Sequence, residues 1–201
     1  MSTSVLEVIS FTASEAFTAD HSLVDKGLEY LKNAEGSLSV FTGFQVEDPK
    51  KAYIFIVWKA YENSLNVPKR EDYPAYIAST AHLIAGDWSL QHVELDLDPT
   101  AALSAPVTEI SKVTPKEGFT QSDVDAIIVQ LREHADVIPG AHAPLPWGKI
   151  IQAPETYTLA VGWDTVQAHQ NAVQVPPIDK LAGRLFQISD LVVSHVALHR
   201  I

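Results

Sequence analysis

Two pairs of residues carry side chains suited to proton chemistry. Glu7 and Glu109 lie near the start of alternating stretches, VLEVISFT (5–12) and VTEISKVT (107–114). His92 and His195 lie in two others, LQHVELDL (90–97) and VSHVALHR (193–200). If these are strands, Val5, Ile9 and Phe11 share a face with Glu7, and its carboxylate points among apolar side chains. Burial of that kind raises a carboxyl pKa and suits a general acid or base. Imidazole is the best acid/base near neutral pH in a chain with no cysteine. A structural role fits as well, because a shared fold also leaves the same residue in both copies.

The copies are visible elsewhere. GFQVEDPKKAYIFIVW (43–58) returns as GKIIQAPETYTLAVGW (148–163), with Gly43, Pro49 and Trp58 falling on Gly148, Pro154 and Trp163 without a gap. Each reads as a strand, a turn at the Pro, then a β-branched and aromatic strand ending at the Trp. Ser22-Leu-Val-Asp25 and Ser122-Asp-Val-Asp125 open two apolar-periodic runs, with the Ser as expected N-cap.

The expected elements are strand 5–13, helix 22–34, strands 38–47 and 52–60, helix 69–84 and strand 89–97. After them come strand 107–114, helix 122–135, strands 143–152 and 156–163, helix 176–188 and strand 191–199. Residues 1–98 then form one repeat, 99–106 an Ala/Pro-rich linker and 107–201 a second repeat. Each repeat is β-α-β-β-α-β, the ferredoxin-like order, so the class is α+β. A four-stranded sheet with both helices on one face leaves its other apolar face uncovered, and the second repeat can cover it. Two tandem ferredoxin-like repeats forming an intramolecular pseudo-dimeric barrel is the expected architecture.

Composition narrows the partners. With 14 basic and 25 acidic residues the formal charge is −11, which disfavours nucleic acid and anionic membranes. No window is long and apolar enough to span a membrane, the N-terminus lacks the pattern of a secretory signal, and the absence of cysteine suits a reducing compartment. A cytoplasmic protein is expected, as monomer or homodimer. No Gly-rich phosphate loop, nucleophile elbow or metal-ligand spacing occurs, and His195 and His199 are ~13 Å apart along an extended strand. No cofactor and no metal site are expected.

The order of elements, the Trp ending the third strand in VGWDTVQAHQ (161–170) and the Glu on the first strand resemble the dimeric α/β-barrel superfamily. Within it, the chain is most similar to tandem proteins of the antibiotic-biosynthesis-monooxygenase-like type. The resemblance covers essentially the whole chain. It implies a ligand held in one half, between the sheet and its own helices. A polyketide-cyclase branch carries His-Pro-Ala-His where this chain has Tyr73-Pro-Ala-Tyr76, and a second catalytic His where this chain has Glu7.

The resemblance thus implies Tyr76 and Glu7 as catalytic candidates, and His92 joins them on its imidazole. Trp58, Phe41, Tyr73, Glu109 and His195 are the candidates for substrate binding. His169, after the second Trp, matches the family pattern and is expected to be structural. Tyr76 has no aromatic counterpart in Val175-Pro-Pro-Ile-Asp179, which points to the first half as the working one, with Glu7 as partner of the Tyr76 hydroxyl. His142 and Trp147 are the counterweight in the second half. The expected function is a cofactor-independent cyclase, isomerase or monooxygenase acting on an apolar, oxygenated metabolite, as in secondary metabolism. The other reading is a non-catalytic binding or stress-response barrel.

Overall fold

In the first strand, β1 (Val5–Ala13), alternation sends Leu6 and Val8 to one apolar layer and Phe11 and Ala13 to another. The computed structural model, which describes residues 4–201, repeats this division in several of the later strands. After β1 come α1 (Glu15–Ala19), α2 (Asp25–Lys32), β2 (Ser37–Gln45), β3 (Lys51–Trp58), α3 (Tyr61–Asn66), α4 (Tyr73–Thr80) and β4 (Ile84–Leu95). A short α5 (Thr100–Leu103) leads to β5 (Val107–Pro115), α6 (Gln121–His134), β6 (Ala141–His142), β7 (Trp147–Ile150), β8 (Ala153–Trp163), α7 (Val166–Ala172), α8 (Ile178–Ile188) and β9 (Ser189–Arg200).

The first half has strand order β4-β1-β3-β2 and the second β9-β5-β8-β7. β4 pairs with β7 and β2 with β9, so the two sheets close into an eight-stranded antiparallel barrel, with β6 as an extra edge on β8. The expected pseudo-dimer is therefore formed by strand pairing as well as by face-to-face packing. Among the described residues, closure leaves no edge of the eight-stranded barrel as a template for another chain.

Three apolar layers result. Phe41, Phe55, Val57, Val93, Ile110, Ile150 and Val196 fill the barrel interior. Phe11, Phe17, Leu28, Ile56 and Trp58 pack beneath the first helices, and Val124, Ile128, Leu159, Trp163 and Leu185 beneath the second. The segment expected as a mere linker does more. Ala102 and Leu103 of α5 are 0% exposed and plug the barrel, and Thr108 Oγ1 donates to the Ala102 carbonyl at 2.8 Å.

The repeated Gly residues mark the seams. A Cβ on Gly43 would stand 2.0 Å from the Ala197 carbonyl oxygen, and one on Gly148 would stand 1.9 Å from that of Glu94. Both contacts lie where a strand of one half pairs with the other half, so only Gly permits closure there.

Several local expectations are corrected. The helix caps are Asp20, whose carboxylate accepts from the Ser22 N–H, and Thr120, which forms a capping box with Asp123; neither Ser22 nor Ser122 is the cap. Helix 69–84 is reduced to α4, with 3-10 turns on both sides. Strand 143–152 survives only as β7, because Pro144 and Pro146 have no N–H to give a ladder. Pro49 lies in its hairpin turn, whereas Pro154 lies inside β8.

Candidate functional site

In the first half the expected residues are placed as follows. Glu7 on β1 is buried and accepts from Trp58 Nε1 at 2.7 Å, and His92 Nε2 lies 3.2 Å from the same carboxylate oxygen. The hydroxyl of Ser64 on α3 is 2.9 Å from His92 Nε2. Tyr76 on α4 stacks on Tyr30 with 4.4 Å between ring centroids, and Tyr73 lies tilted beside it. Burial, then the nearby Tyr73 and Glu7, push the Tyr76 phenol far above neutral pH. No hydrogen bond joins its hydroxyl to Glu7 among the described residues; the carboxylate is already engaged by Trp58 and His92. Trp58 is fully enclosed in the core, and Phe41 points the other way, into the barrel interior. The expected grouping of Trp58, Phe41, Tyr73 and Tyr76 around one ligand space does not form.

The second half repeats this geometry with different chemistry. Glu109 accepts from Trp163 Nε1 at 2.9 Å and from the Ser111 hydroxyl at 2.5 Å. His169 on α7 stacks on Trp163, with 4.9 Å between ring centroids. Its Nε2 is 3.5 Å from Glu109 Oε2 and its Nδ1 is 2.8 Å from His195 Nε2. His195 Nδ1 in turn donates to the carboxylate of Glu47, whose second oxygen accepts the His195 backbone N–H at 3.2 Å. Glu47 follows β2 and belongs to the first half; it reaches His195 because β2 pairs with β9.

The matching first-half contact is Gln152 on His92. Its Oε1 accepts the His92 backbone N–H at 2.9 Å, which leaves its amide nitrogen 2.6 Å from His92 Nδ1. An amide there donates, so His92 Nδ1 must accept and its proton sits on Nε2, facing Glu7. A carboxylate in the same place accepts twice, so His195 carries its proton on Nδ1 and leaves Nε2 as an acceptor. His169 then donates from Nδ1 and keeps a lone pair on Nε2. One half ends in a held proton, the other in a free base.

Electrostatics follow the geometry. Burial lowers the His169 pKa most, Glu109 and Glu47 oppose it, His195 adds to it, and the net shift is downward. Burial raises Glu47, but its hydrogen bonds to the His195 ring and backbone outweigh that and hold it below the usual range. His169 is thus neutral and proton-accepting near neutral pH.

A cavity of about 250 Å³ opens beside this group, between the sheet and the helices of the second half. Glu109, Ser111, Trp163, His169 and His195 provide the polar end, and Leu131, Leu145, Leu159, Ile178 and Leu185 make up much of the rest. Gln170 and Phe186, both exposed, stand at its rim. Ile138 and Ile178 also wall an open groove of about 500 Å³. This cavity lies in the second half, whereas the working pocket was expected in the first. In the first half Tyr30 of α2 and Tyr76 of α4, both partly buried, stack on each other beside the core.

Glu109 and His195 line the cavity, as a ligand-binding role requires. His169 was expected to be structural, and Glu47 was not singled out. Nor was the cluster of Glu109, His169 and His195, whose donor atoms lie within 4.8 Å of one another and could hold a metal ion; strand spacing alone does not bring these residues together. His142 instead pairs with Asp164 at the surface, and Trp147 donates to Asp125.

No family model matches the chain, and no curated protein matches it in sequence. Solved structures do match. A candidate monooxygenase from Fusobacterium nucleatum superposes with a TM-score of 0.74 at 12% identity, over 98% of this chain and 93% of the other. An anthrone oxidase-like protein gives 0.67 at 14%, over 100% and 93%. A candidate monooxygenase from Lactobacillus acidophilus gives 0.66 at 13%, over 98% and 94%. The fold is the tandem dimeric α/β barrel. That agrees with the resemblance to antibiotic-biosynthesis-monooxygenase-like proteins, and at these identities it is the fold alone that is shared.

Proposed function

We propose that this tandem barrel is a cofactor-independent monooxygenase whose second half removes a proton from an apolar small molecule bearing an acidic C–H or O–H group. The observation that carries this reading is the chain of contacts from Glu47 through His195 to His169, whose Nε2 lies 3.5 Å from Glu109, in a group that lines an apolar cavity. Proton abstraction leaves an imidazolium next to Glu109, with Glu47 behind it. Both carboxylates stabilise the charge as it forms. An electron-rich carbanion or phenolate, once formed, can itself reduce dioxygen.

For a methylene substrate the balance is SH2 + O2 → SO + H2O. The carbon gives up four electrons and two hydrogens, keeps one oxygen atom and releases the other as water. No external reductant is needed. Names among the structural neighbours, monooxygenase and anthrone oxidase-like, support this choice over a cyclase or isomerase.

The experiment is oxygen uptake by the purified chain with anthrone-type and phenolic compounds, in the presence of a chelator and without flavin. Uptake of one dioxygen per substrate, lost in His169→Ser, is the expected result. Tight binding of such compounds with no turnover of any of them would make the chain a binding protein and overturn the proposal.

A further inference from the structure

The Glu109–His169–His195 group has a second capacity that does not depend on the reaction proposed above. We infer that these three side chains form a binding site for one divalent first-row transition ion of the zinc class. Two imidazoles and one carboxylate are a donor set that such ions accept, and all three border the same cavity, which leaves a fourth position for water or a ligand oxygen.

The geometry is close to what an ion needs. Donors around tetrahedral zinc lie ~3.3 Å apart. His169 Nδ1 and His195 Nε2 are 2.8 Å apart, so they must part by roughly 0.5 Å. Glu109 Oε2 lies 3.5 Å from the other ring nitrogen of His169, Nε2, and one donor atom from each of the three residues lies within 4.8 Å of the others. The supporting shell is also present. His195 is held by Glu47 in the tautomer that offers Nε2 to a metal, and Trp163 and Ser111 orient the Glu109 carboxylate. On binding through Nδ1, His169 must carry its proton on Nε2, which lies beside Glu109.

The chain contains its own control. Glu7, Ser64 and His92 occupy the equivalent places in the first half, and there a hydroxyl stands where His169 offers an imidazole. His92 also keeps its proton on the nitrogen that would have to bind. The inference therefore specifies one ion per chain, not two.

Cobalt(II) is a suitable probe, titrated into the full, tag-free chain and followed by visible absorption. One equivalent giving the intense bands of four- or five-coordinate cobalt, displaced by zinc, is expected. His169→Ser copies the first half and should weaken binding by about 100-fold or more, while circular dichroism confirms the fold. Glu47→Gln should weaken it by about 10–100-fold, the usual scale for a supporting residue. Two equivalents, only weak octahedral cobalt, or unchanged affinity in His169→Ser would each overturn the inference. Oxygen uptake in chelator is a separate measurement, so failure of the metal site and failure of the proton-transfer reading are told apart.

Discussion

His169 Nδ1 lies 2.8 Å from His195 Nε2, and at the equivalent point of the first half the Ser64 hydroxyl lies 2.9 Å from His92 Nε2. The repeats share a Glu, a Trp and a strand His, so these three explain the fold. The imidazole on α7 is what differs.

Replacing it should therefore remove the chemistry and leave the barrel. His169→Ser inserts a side chain that the first half already carries in the same frame. Turnover is expected to fall by about 10²–10⁴-fold, the range for loss of one acid/base group, with little change in thermal midpoint. Single-turnover kinetics on the folded variant checks this, and a variant with wild-type rate would remove His169 from the mechanism.

Tyr76→Phe should have no such effect. Its hydroxyl makes no hydrogen bond among the described residues, its ring is held by Tyr30, and burial keeps the phenol protonated. Turnover within about twofold of wild type and an unchanged melting temperature are expected. A large loss of rate would return the working site to the first half.

The contrast between these two residues shows what the sequence could and could not convey. Barrel closure was legible because the apolar faces and the gapless Gly, Pro and Trp repeat required it. Glu7, Glu109, His92 and His195 were legible because each occurs twice. His169 and Glu47 were not, because repetition was the signal used, and they break it. They align with Ser64 and Gln152 at the same offset as the two Trp residues, so a search for substitutions inside the repeat would have found them. Tyr76 also breaks the repeat, but what it does there is stack. How Tyr30 and Tyr76 pack on each other is a tertiary contact between two helices, and periodicity does not report that.

Trp58→Ala should destabilise more than a simple apolar truncation. The ring is 0% exposed, and its Nε1 supplies a hydrogen bond to the buried Glu7. Large core truncations cost about 3–5 kcal/mol, and the abandoned carboxylate adds about 1–3 kcal/mol. Denaturant unfolding measures the sum. Trp58→Phe, which fills most of the space but still loses the donor, should retain part of the loss.

Stability should rise with pH on the acid side. His169 has a folded pKa below its ordinary 6.5, so between those values the unfolded chain binds a proton that the native chain does not. The contribution is complete above 6.5 and declines as pH falls towards the folded value. Glu47, lowered from 4.5, acts the same way in a more acid window, with a contribution present above 4.5 and lost as pH drops through its folded pKa. Melting curves across pH should show both limbs. In His169→Ser the limb just below 6.5 should flatten.

Glu47→Gln tests the source of the asymmetry, because it changes one atom and reverses a tautomer. The carboxylate now accepts both the backbone N–H and the Nδ1 proton of His195. An amide cannot do both. Its oxygen must take the backbone N–H, as Gln152 does with His92, which turns its NH2 towards Nδ1. His195 then carries its proton on Nε2 and donates to His169, whose own proton moves to Nε2, beside Glu109. The base becomes a donor. Turnover is expected to fall by about 10²-fold or more, a larger loss than removal of one distant, partly exposed charge would produce. Nitrogen-15 NMR of the histidine rings reads the tautomers directly: Nδ1–H on His195 in the wild type, Nε2–H in the variant. Full activity with a reversed tautomer would show that the proton does not leave through His169. An unreversed tautomer would show that the side chain at position 47 does not set it.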